Sequence, residues 1–261
     1  ALSAQLVKVG GEEFRPVDAT VALKIAEQLG FVLVERQESD FEPYVDKGLK
    51  TIVLNGRTNP AKAPRFTISD IQTRRTTSKP NPPFTTAALQ QAASSALGFS
   101  PSRTMRIAQQ LYEGIDLGGG EGPVGLITYM RTDSTNLSKD SIAAVRDLIA
   151  RRFSEKHLPD RPNVYGSAKG AQEAHEAIRP SDVNHTPESV RDRLTAGQYK
   201  LYDLIWRRFV ACQMTPAEWD STTVLISAPT KSGEAIFRAT GRRLVFDGFL
   251  RVMGDAEDGE A

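Results

Sequence analysis

The chain has 261 residues, which is enough for two ordinary domains with a sizeable core. Apolar residues make up 39% of it and charged residues 25%, as in globular proteins, and no apolar run approaches the roughly 18 residues that span a membrane. The formal net charge of +1 gives no case by itself for a nucleic-acid partner, so a DNA-binding surface would have to come from local clustering of basic residues.

The single cysteine, Cys212, excludes an internal disulfide and a zinc site built on several thiolates. Its amphipathic surroundings predict a buried core thiol. We expect the sequence to be a fragment, because it begins at Ala1 inside an alternating pattern and ends in the acidic run Gly254–Ala261.

Residues 1–78 are predicted to form the first part of a β-rich domain, with strands around one helix. Asp18 is suited to cap a helix from about Ala19 to Leu29, and Gly30 is suited to end it. Alternating or β-branched runs predict strands at 2–9, 31–36, 49–54 and 65–76.

The proline-rich stretch Thr77–Pro83 predicts a stiff linker, and residues 79–215 are predicted to form a mainly helical domain. Residues 216–261 return to strand character as the second part of the β-rich domain. The sequence therefore predicts an α+β fold, with a helical domain inserted into a β-rich domain. The predicted helix caps are Thr85 or Thr86, Ser100, Ser138 and Thr195.

The segment Ile127–Ser134, with the sequence ITYMRTDS, carries the first candidate site. A tyrosine hydroxyl is a poor nucleophile unless something stabilises the phenolate or accepts its proton. In an extended chain, Tyr129 and Arg131 point to the same side and can face one phosphate together. This arrangement suits phosphoryl transfer, although ordinary strand residues without chemistry have the same spacing. Further hydrogen-bonding side chains follow at Thr132, Asp133 and Ser134.

The segment Gln172–Pro180 carries the second candidate site. If it is helical, His175 and Arg179 share one face, and Glu173 lies near Glu176. A histidine and an arginine on one face can both reach a phosphate, and histidine can donate a proton near neutral pH. The order of residues is not HExxH, so it is no zinc-protease signature. A polar helix with solvated charges is the alternative.

Two other features of the sequence have the composition of a binding site. The glycine-rich run Asp116–Pro123 is not a phosphate loop, because no Lys-Ser/Thr and no helix follow it, and we expect a connection leading to Tyr129. Arg103 and Arg106 are the best candidates for DNA contacts among the basic pairs, because their predicted helix leads towards Tyr129.

Together these segments resemble the bacterial type IA DNA topoisomerases. Ile127–Ser134 is similar, residue for residue, to that family's active-site segment, and Glu173–Pro180 is similar to its second signature. The resemblance is strong from about residue 76 to 223 and weaker before it, where residues 38–64 look like a family-variable insertion. Further matching stretches are Thr76–Pro80, Leu89–Ala93, Leu201–Thr215 and Phe246–Gly248.

The resemblance implies that Tyr129 cleaves single-stranded DNA to a 5′-phosphotyrosine, so that negative supercoils relax without ATP after strand passage and religation. Arg131 would position Tyr129 and the scissile phosphate, His175 would help hold that phosphate, and Asp133 would support the site. The remaining expected site residues are Thr132, Glu173 and Arg179 as supporting groups, and Arg103, Arg106 and Ser134 as DNA contacts.

The family also implies a cytoplasmic, nucleoid-associated enzyme in which this chain forms the arch of a toroid: a β-rich hinge domain plus the helical domain. A Toprim domain elsewhere in the polypeptide would supply a catalytic Glu and an Asp-x-Asp-x-Glu-type Mg²⁺ site. This chain contains no Asp-x-Asp, so we expect no metal site in it and no relaxation by the chain alone. The expected partners are single-stranded and negatively supercoiled DNA and the missing domains of the same polypeptide. We expect no membrane partner.

Two other classes of protein stay open at this point. The chain can be a binding module, a DNA clamp or protein contact in which Tyr129 is idle. A tyrosine recombinase is the other class, but it needs several separate basic catalytic residues around a C-terminal tyrosine and forms a 3′ link, which fits this sequence poorly.

Overall fold

The computed structural model describes residues 3–16, 18–41, 48, 50–118, 120, 122–166 and 175–254. The chain divides into two compact units, which differ in secondary structure. The β unit comprises Ala1–Arg75 and Asp220–Arg243, and the helical unit comprises Thr76–Trp219 and Leu244–Ala261. This mixture confirms the predicted α+β fold class. Within the described ranges, no helix is long and apolar enough to cross a membrane.

The strands form two sheets. Strands β2, β1, β7, β6 and β5 make a five-stranded sheet in that order, and β3 and β4 make a separate antiparallel pair. Antiparallel pairing joins β1 to β7, so the larger sheet unites the two ends of the chain, as expected of an inserted helical domain. The strands are β1 Gln5–Val9, β2 Glu12–Glu13, β3 Phe31–Asp40, β4 Lys50–Thr58, β5 Thr67–Ser78, β6 Ala217–Thr230 and β7 Gly233–Phe246.

Helix α1, Ala19–Gln28, belongs to the β unit and begins at the predicted cap. The Asp18 carboxylate accepts hydrogen bonds from two N–H groups of the first turn, at 2.8 and 3.0 Å. Gly30 follows the helix with φ of 85°, a conformation that favours glycine. The buried core of this unit is small and consists of Ile25, Leu29, Ala228 and Ala235.

The predicted caps of the helical unit are confirmed. In each case the side-chain oxygen accepts a hydrogen bond from a backbone N–H of the helix's first turn. Of the two candidates before α2, Thr85 is the cap. The longer helices are α2 Thr86–Leu97 capped by Thr85, α3 Pro101–Glu113 capped by Ser100, α4 Lys139–Arg152 capped by Ser138 and α6 Ala196–Cys212 capped by Thr195; the short ones are α5 Pro187–Val190 and α7 Leu250–Met253.

Helix α6 is the centre of the helical unit's core. The Tyr202 hydroxyl donates to the His185 carbonyl at 2.6 Å, and the Trp206 indole donates to the Val183 carbonyl at 2.9 Å, so buried polar atoms are satisfied. Cys212 is fully buried, as predicted, and burial raises the pKa of its thiol to about 12.

The C-terminal boundary differs from the predicted one. Residues 244–254 belong to the helical unit, whereas the sequence placed all of 216–261 in the β-rich domain. The reason is packing: the Phe249 N–H donates to the Thr215 carbonyl at 3.0 Å, and Val252 is buried in the helical core. Strands β6 and β7, at 14 residues each, are also longer than the runs that the sequence predicts, which are 222–227, 234–240 and 243–246, because pairing extends them.

Shortening Ile205 tests the placement of the core. Ile205→Ala should lower the free energy of unfolding of the helical unit by about 2–5 kcal/mol, because it leaves a cavity in close-packed surroundings. Both tryptophans, Trp206 and Trp219, lie in this unit, so their fluorescence during urea denaturation reports on it. Val164→Ala is the control, with an 88% exposed side chain and an expected change below about 0.5 kcal/mol. Equal losses in both variants would contradict this core.

Candidate active site

The two sequence motifs lie side by side in the helical unit. We call residues 126–136 the tyrosine segment; it pairs with residues 177–181 through a seam of backbone and threonine hydrogen bonds. The Thr128 N–H donates to the Arg179 carbonyl at 2.9 Å, the Arg179 N–H donates to the Thr128 hydroxyl at 3.0 Å, and that hydroxyl donates to the Ala177 carbonyl at 2.7 Å. Two stretches about 50 residues apart are thereby held in one register.

Burial alternates along the tyrosine segment. Met130 and Ser134 are fully buried, whereas Tyr129, Arg131 and Asp133 are exposed. Burial thus alternates with the period of an extended chain, and the backbone bends at Thr128 and Met130. The shared direction of Tyr129 and Arg131 stays a prediction. Tyr129 is 45% exposed, which leaves its hydroxyl within reach of a polymeric substrate.

Tyr112, at the end of α3, is a neighbour that the sequence did not predict. Its ring meets that of Tyr129 edge-on, with centroids 5.4 Å apart. The contact arises because Ile115 pairs with Val124 and the Leu126 N–H donates to the Leu111 carbonyl at 2.7 Å, which brings the chain back beside the end of α3. A Cβ at Gly125 would lie 2.7 Å from the Tyr112 carbonyl oxygen, which explains a glycine at this position. The spacing of Tyr112 and Tyr129 in the sequence does not predict this ring contact, because the contact depends on how the intervening chain folds.

Arg131 and His175 face one open cavity of about 610 Å³. A guanidinium and an imidazole on one cavity provide donors suited to phosphate oxygens. Tyr129 precedes this cavity in the chain but is not among its lining residues. The lining comes from the first turn of α2, the tyrosine segment and the second motif: Thr85, Thr86, Ala87, Arg131, Thr132, Asp133 and His175.

The condition for a shared helical face of His175 and Arg179 is not met. Residues 175–180 are not helical; they form isolated bridges, Ile178 with Phe84 and Pro180 with Ile127. Proline cannot donate to a helix, and pairing with the tyrosine segment satisfies the neighbouring amides instead. The predicted supporting residue Glu173 lies outside the described residues.

Arg179 holds the second motif together rather than facing the cavity. Its guanidinium donates to Glu176 at 2.7 Å and to the Pro180 carbonyl at 2.9 Å, and its side chain is 14% exposed. The other carboxylate oxygen of Glu176 accepts from the Ser138 N–H at 2.7 Å, at the start of α4. Burial raises the pKa of Glu176, but the hydrogen bonding by Ser138 and the charge of Arg179 outweigh it, so this pKa lies below its ordinary value.

The prediction that Ser134 contacts DNA is corrected. Ser134 is fully buried, and its hydroxyl accepts from the Asn136 N–H at 3.1 Å. Thr132, predicted as a supporting residue, is 9% exposed, and its hydroxyl accepts from the Ser134 N–H at 3.0 Å. Both hydroxyls are thus engaged in shaping the backbone of the tyrosine segment.

Arg103 and Arg106 lie exposed on α3 but do not line the cavity. The Arg103 guanidinium sits over the Phe99 ring at 4.1 Å, a stacking that leaves its edge available for hydrogen bonds. A DNA contact by either residue stays a prediction.

Metal binding has no candidate site among the residues that the structure describes. None of their His, Cys, Asp and Glu side chains form a group of three or more that could hold an ion. The residues around Tyr129 therefore do not fit a Mg²⁺ site of their own.

Comparison with known proteins agrees with the two motifs. A family model described as DNA topoisomerase matches residues 15–261. DNA topoisomerase 1 of Escherichia coli (strain K12) is 44% identical over 249 residues, 95% of this chain and 26% of that protein. DNA topoisomerase 1 of Pseudomonas aeruginosa is 52% identical over 192 residues, 74% of this chain and 20% of that protein. Full-length topoisomerase I from Thermotoga maritima matches with a TM-score of 0.65 and 34% identity, over 93% of this chain and 40% of that one.

The chain therefore belongs to the DNA topoisomerase family, in its bacterial type IA branch. The family predicted from the tyrosine motif and the second signature is thereby confirmed. The chain spans about a quarter of the length of the curated relatives that it matches.

Replacing Glu176 tests the link between the second motif and α4. Glu176→Gln should lower the free energy of unfolding by about 1 kcal/mol at pH 7, because the charged partner of Arg179 is lost. Since the folded pKa is depressed, the stabilisation is complete above the ordinary value of about 4.3 and disappears as the pH falls through the lower folded value. Denaturation of both proteins between pH 7 and pH 3 measures this.

The exposed Glu155 provides the matched control, and Glu155→Gln should change the free energy of unfolding by less than about 0.5 kcal/mol at either pH. A difference between Glu176→Gln and the parent protein that stays constant down to pH 3 would contradict the proposed ionic contact.

Proposed function

We propose that Tyr129 is the nucleophile of a DNA-cleaving type IA topoisomerase and that this chain is the tyrosine-bearing arch of that enzyme. The phenolic oxygen bonds to the phosphorus of a single-stranded phosphodiester as the bond to the 3′ oxygen breaks. The products are a 5′-phosphotyrosine and a free 3′-hydroxyl. The phenol gives up its proton, and the departing 3′ oxygen takes one up. Because the phosphotyrosine is itself an ester, reversal reseals the strand without ATP.

The observation that carries this proposal is the combination of an exposed Tyr129 with an anchored backbone. The phenol is free to meet a strand, whereas Thr128 and Met130 on either side are fixed by hydrogen bonds and burial. A nucleophile on a fixed main chain loses little conformational freedom when its substrate arrives. Family membership adds weight, because the same segment resembles the active site of type IA enzymes.

Arg131 and His175 have complementary roles in this proposal. The Arg131 guanidinium stays charged and offers two donors to the scissile phosphate, which stabilises charge in the transition state. His175 donates to the same phosphate within the cavity that it lines together with Arg131. Asp133, exposed at the rim, supports their arrangement, and Arg103 and Arg106 guide the strand along α3.

The complete enzyme needs parts beyond these residues. We propose that a Toprim domain of the same polypeptide holds Mg²⁺ and completes the site, as the family resemblance implies. The whole protein would relax negatively supercoiled DNA in the cytoplasm, where it would be associated with the nucleoid. In this chain, Tyr129 and its phosphate ligands are present and the acidic metal site is not among the described residues.

Removal of the phenol hydroxyl tests the nucleophile. In the complete polypeptide that carries this chain, Tyr129→Phe should lower the yield of covalent DNA adduct by on the order of 10³-fold or more, because the attacking oxygen is gone. Denaturing gels of an oligonucleotide labelled at either end measure the adduct and show which end is blocked. Tyr112→Phe, which keeps the ring contact at 5.4 Å, should stay within about 2-fold of the parent.

Full adduct formation by Tyr129→Phe would refute the assignment. An adduct that blocks the 3′ end would contradict the type IA reaction and favour the recombinase class.

The isolated chain should not relax supercoiled DNA. A negatively supercoiled plasmid incubated with residues 1–261 and Mg²⁺ is expected to keep its topoisomer distribution, because no metal site accompanies Tyr129 among the described residues. The complete polypeptide at the same concentration serves as the positive control. A shift of the topoisomers by the chain alone, seen on an agarose gel, would show that no further domain is required.

A further inference from the structure

We propose that Thr86, the first residue of α2, is a positioning residue that sets the spacing of Tyr129 and Arg131 for DNA cleavage. This inference rests on the proposed role of Tyr129. Thr86 belongs to neither sequence motif, and it acts through the backbone of the tyrosine segment rather than by contact with the reacting atoms.

Thr86 makes four hydrogen-bond contacts with the two residues that flank Arg131. Its hydroxyl donates to the Met130 carbonyl at 2.8 Å, with the Thr132 carbonyl at 3.1 Å as a second acceptor, and it accepts from the Thr132 N–H at 2.9 Å. Its backbone N–H donates to the Thr132 carbonyl at 2.9 Å. The path of the chain from Met130 to Thr132 is therefore defined by one threonine on a helix.

The hydroxyl of Thr86 is not needed to cap its helix. That task belongs to Thr85, whose side chain accepts from the Ala88 N–H. The Thr86 hydroxyl donates and accepts through a single oxygen atom, which among aliphatic side chains only serine and threonine can do. Helix formation alone does not require hydrogen bonds from the Thr86 hydroxyl to the backbone of Met130 and Thr132.

Different elements hold the backbone before Tyr129 and the backbone on either side of Arg131. Thr128 is bonded to the second motif on one side, and Thr86 holds Met130 and Thr132 on the other. These contacts fix the backbone from Thr128 to Thr132. The side chains of Tyr129 and Arg131 are exposed and take no part in these contacts. The structure thus separates the groups that hold the segment from those that would meet DNA.

This separation predicts an effect on the chemical step. If the Thr86 hydroxyl is lost, the half-buried Thr132 N–H and Met130 carbonyl each lose a hydrogen-bond partner. The backbone from Met130 to Thr132 then shifts to form other hydrogen bonds. A displacement on the order of 1 Å between a nucleophile and its phosphate ligand costs up to about 100-fold in rate. DNA binding, which depends on many contacts, should change little.

The test uses the complete polypeptide and three variants. Thr86→Val keeps the shape and removes the hydroxyl, and it should slow single-turnover cleavage of an oligonucleotide by about 10- to 100-fold. Its Kd for the same oligonucleotide should stay within about 3-fold. Thr86→Ser restores the donor and acceptor and should recover cleavage to within about 3-fold of the parent. If Thr86→Val is unfolded by circular dichroism, Thr86→Ala takes its place.

Thr195→Val is the matched control. It makes the same chemical change at the exposed cap of α6, where the hydroxyl accepts from the Gln198 N–H. It should lower the melting temperature measurably, because a helix cap is lost, and leave the cleavage rate within about 2-fold.

Three outcomes would overturn the inference: parental cleavage by Thr86→Val, no recovery in Thr86→Ser, or an equal loss of cleavage in Thr195→Val. None of them touches the role of Tyr129, which is measured separately by Tyr129→Phe. If that variant still forms the adduct, the proposed function itself has failed.

Discussion

The seam between Thr128 and residues 177–179 is the contact on which the site depends. Its bonds of 2.7 to 3.0 Å use one threonine hydroxyl as both donor and acceptor, and they tie together segments that the sequence separates by about 50 residues. It holds residues 177–179 beside the segment that carries Arg131, and Arg131 and His175 line one cavity. Local sequence makes neither motif rigid; their pairing does.

The helical core gives this seam something firm to rest on. Met130 and Ile127 are at most 1% exposed, so the tyrosine segment packs into the same hydrophobic cluster that contains the buried residues of α6. Close packing resists small displacements, and this rigidity passes to the exposed residues between the buried ones. Tyr129 is therefore presented by a rigid support, although its own side chain is 45% exposed.

Local chemistry was readable from the sequence, and tertiary placement was not. The caps Asp18, Ser100 and Thr195 were predictable because a cap satisfies amides within three residues of itself. Arg179 was misplaced because its helical spacing was judged without the competing pairing to Thr128, which lies far away in the chain. The contact of Tyr112 with Tyr129 depends on how a glycine-rich loop closes, and spacing carries no record of that.

The residues of the site also divide into those that the sequence predicts correctly and those that it does not. Exposed and buried residues alternate from Tyr129 to Ser134 with the two-residue period expected of an extended chain, and Arg131 is among the exposed ones. The same period buries Ser134, which the motif alone offered as a DNA contact. The most direct measurement of the central claim is to map the tyrosine that becomes linked to DNA, by mass spectrometry of peptides from the trapped adduct. We expect the nucleotide on Tyr129; a nucleotide on Tyr112, the exposed ring beside it, would contradict the assignment.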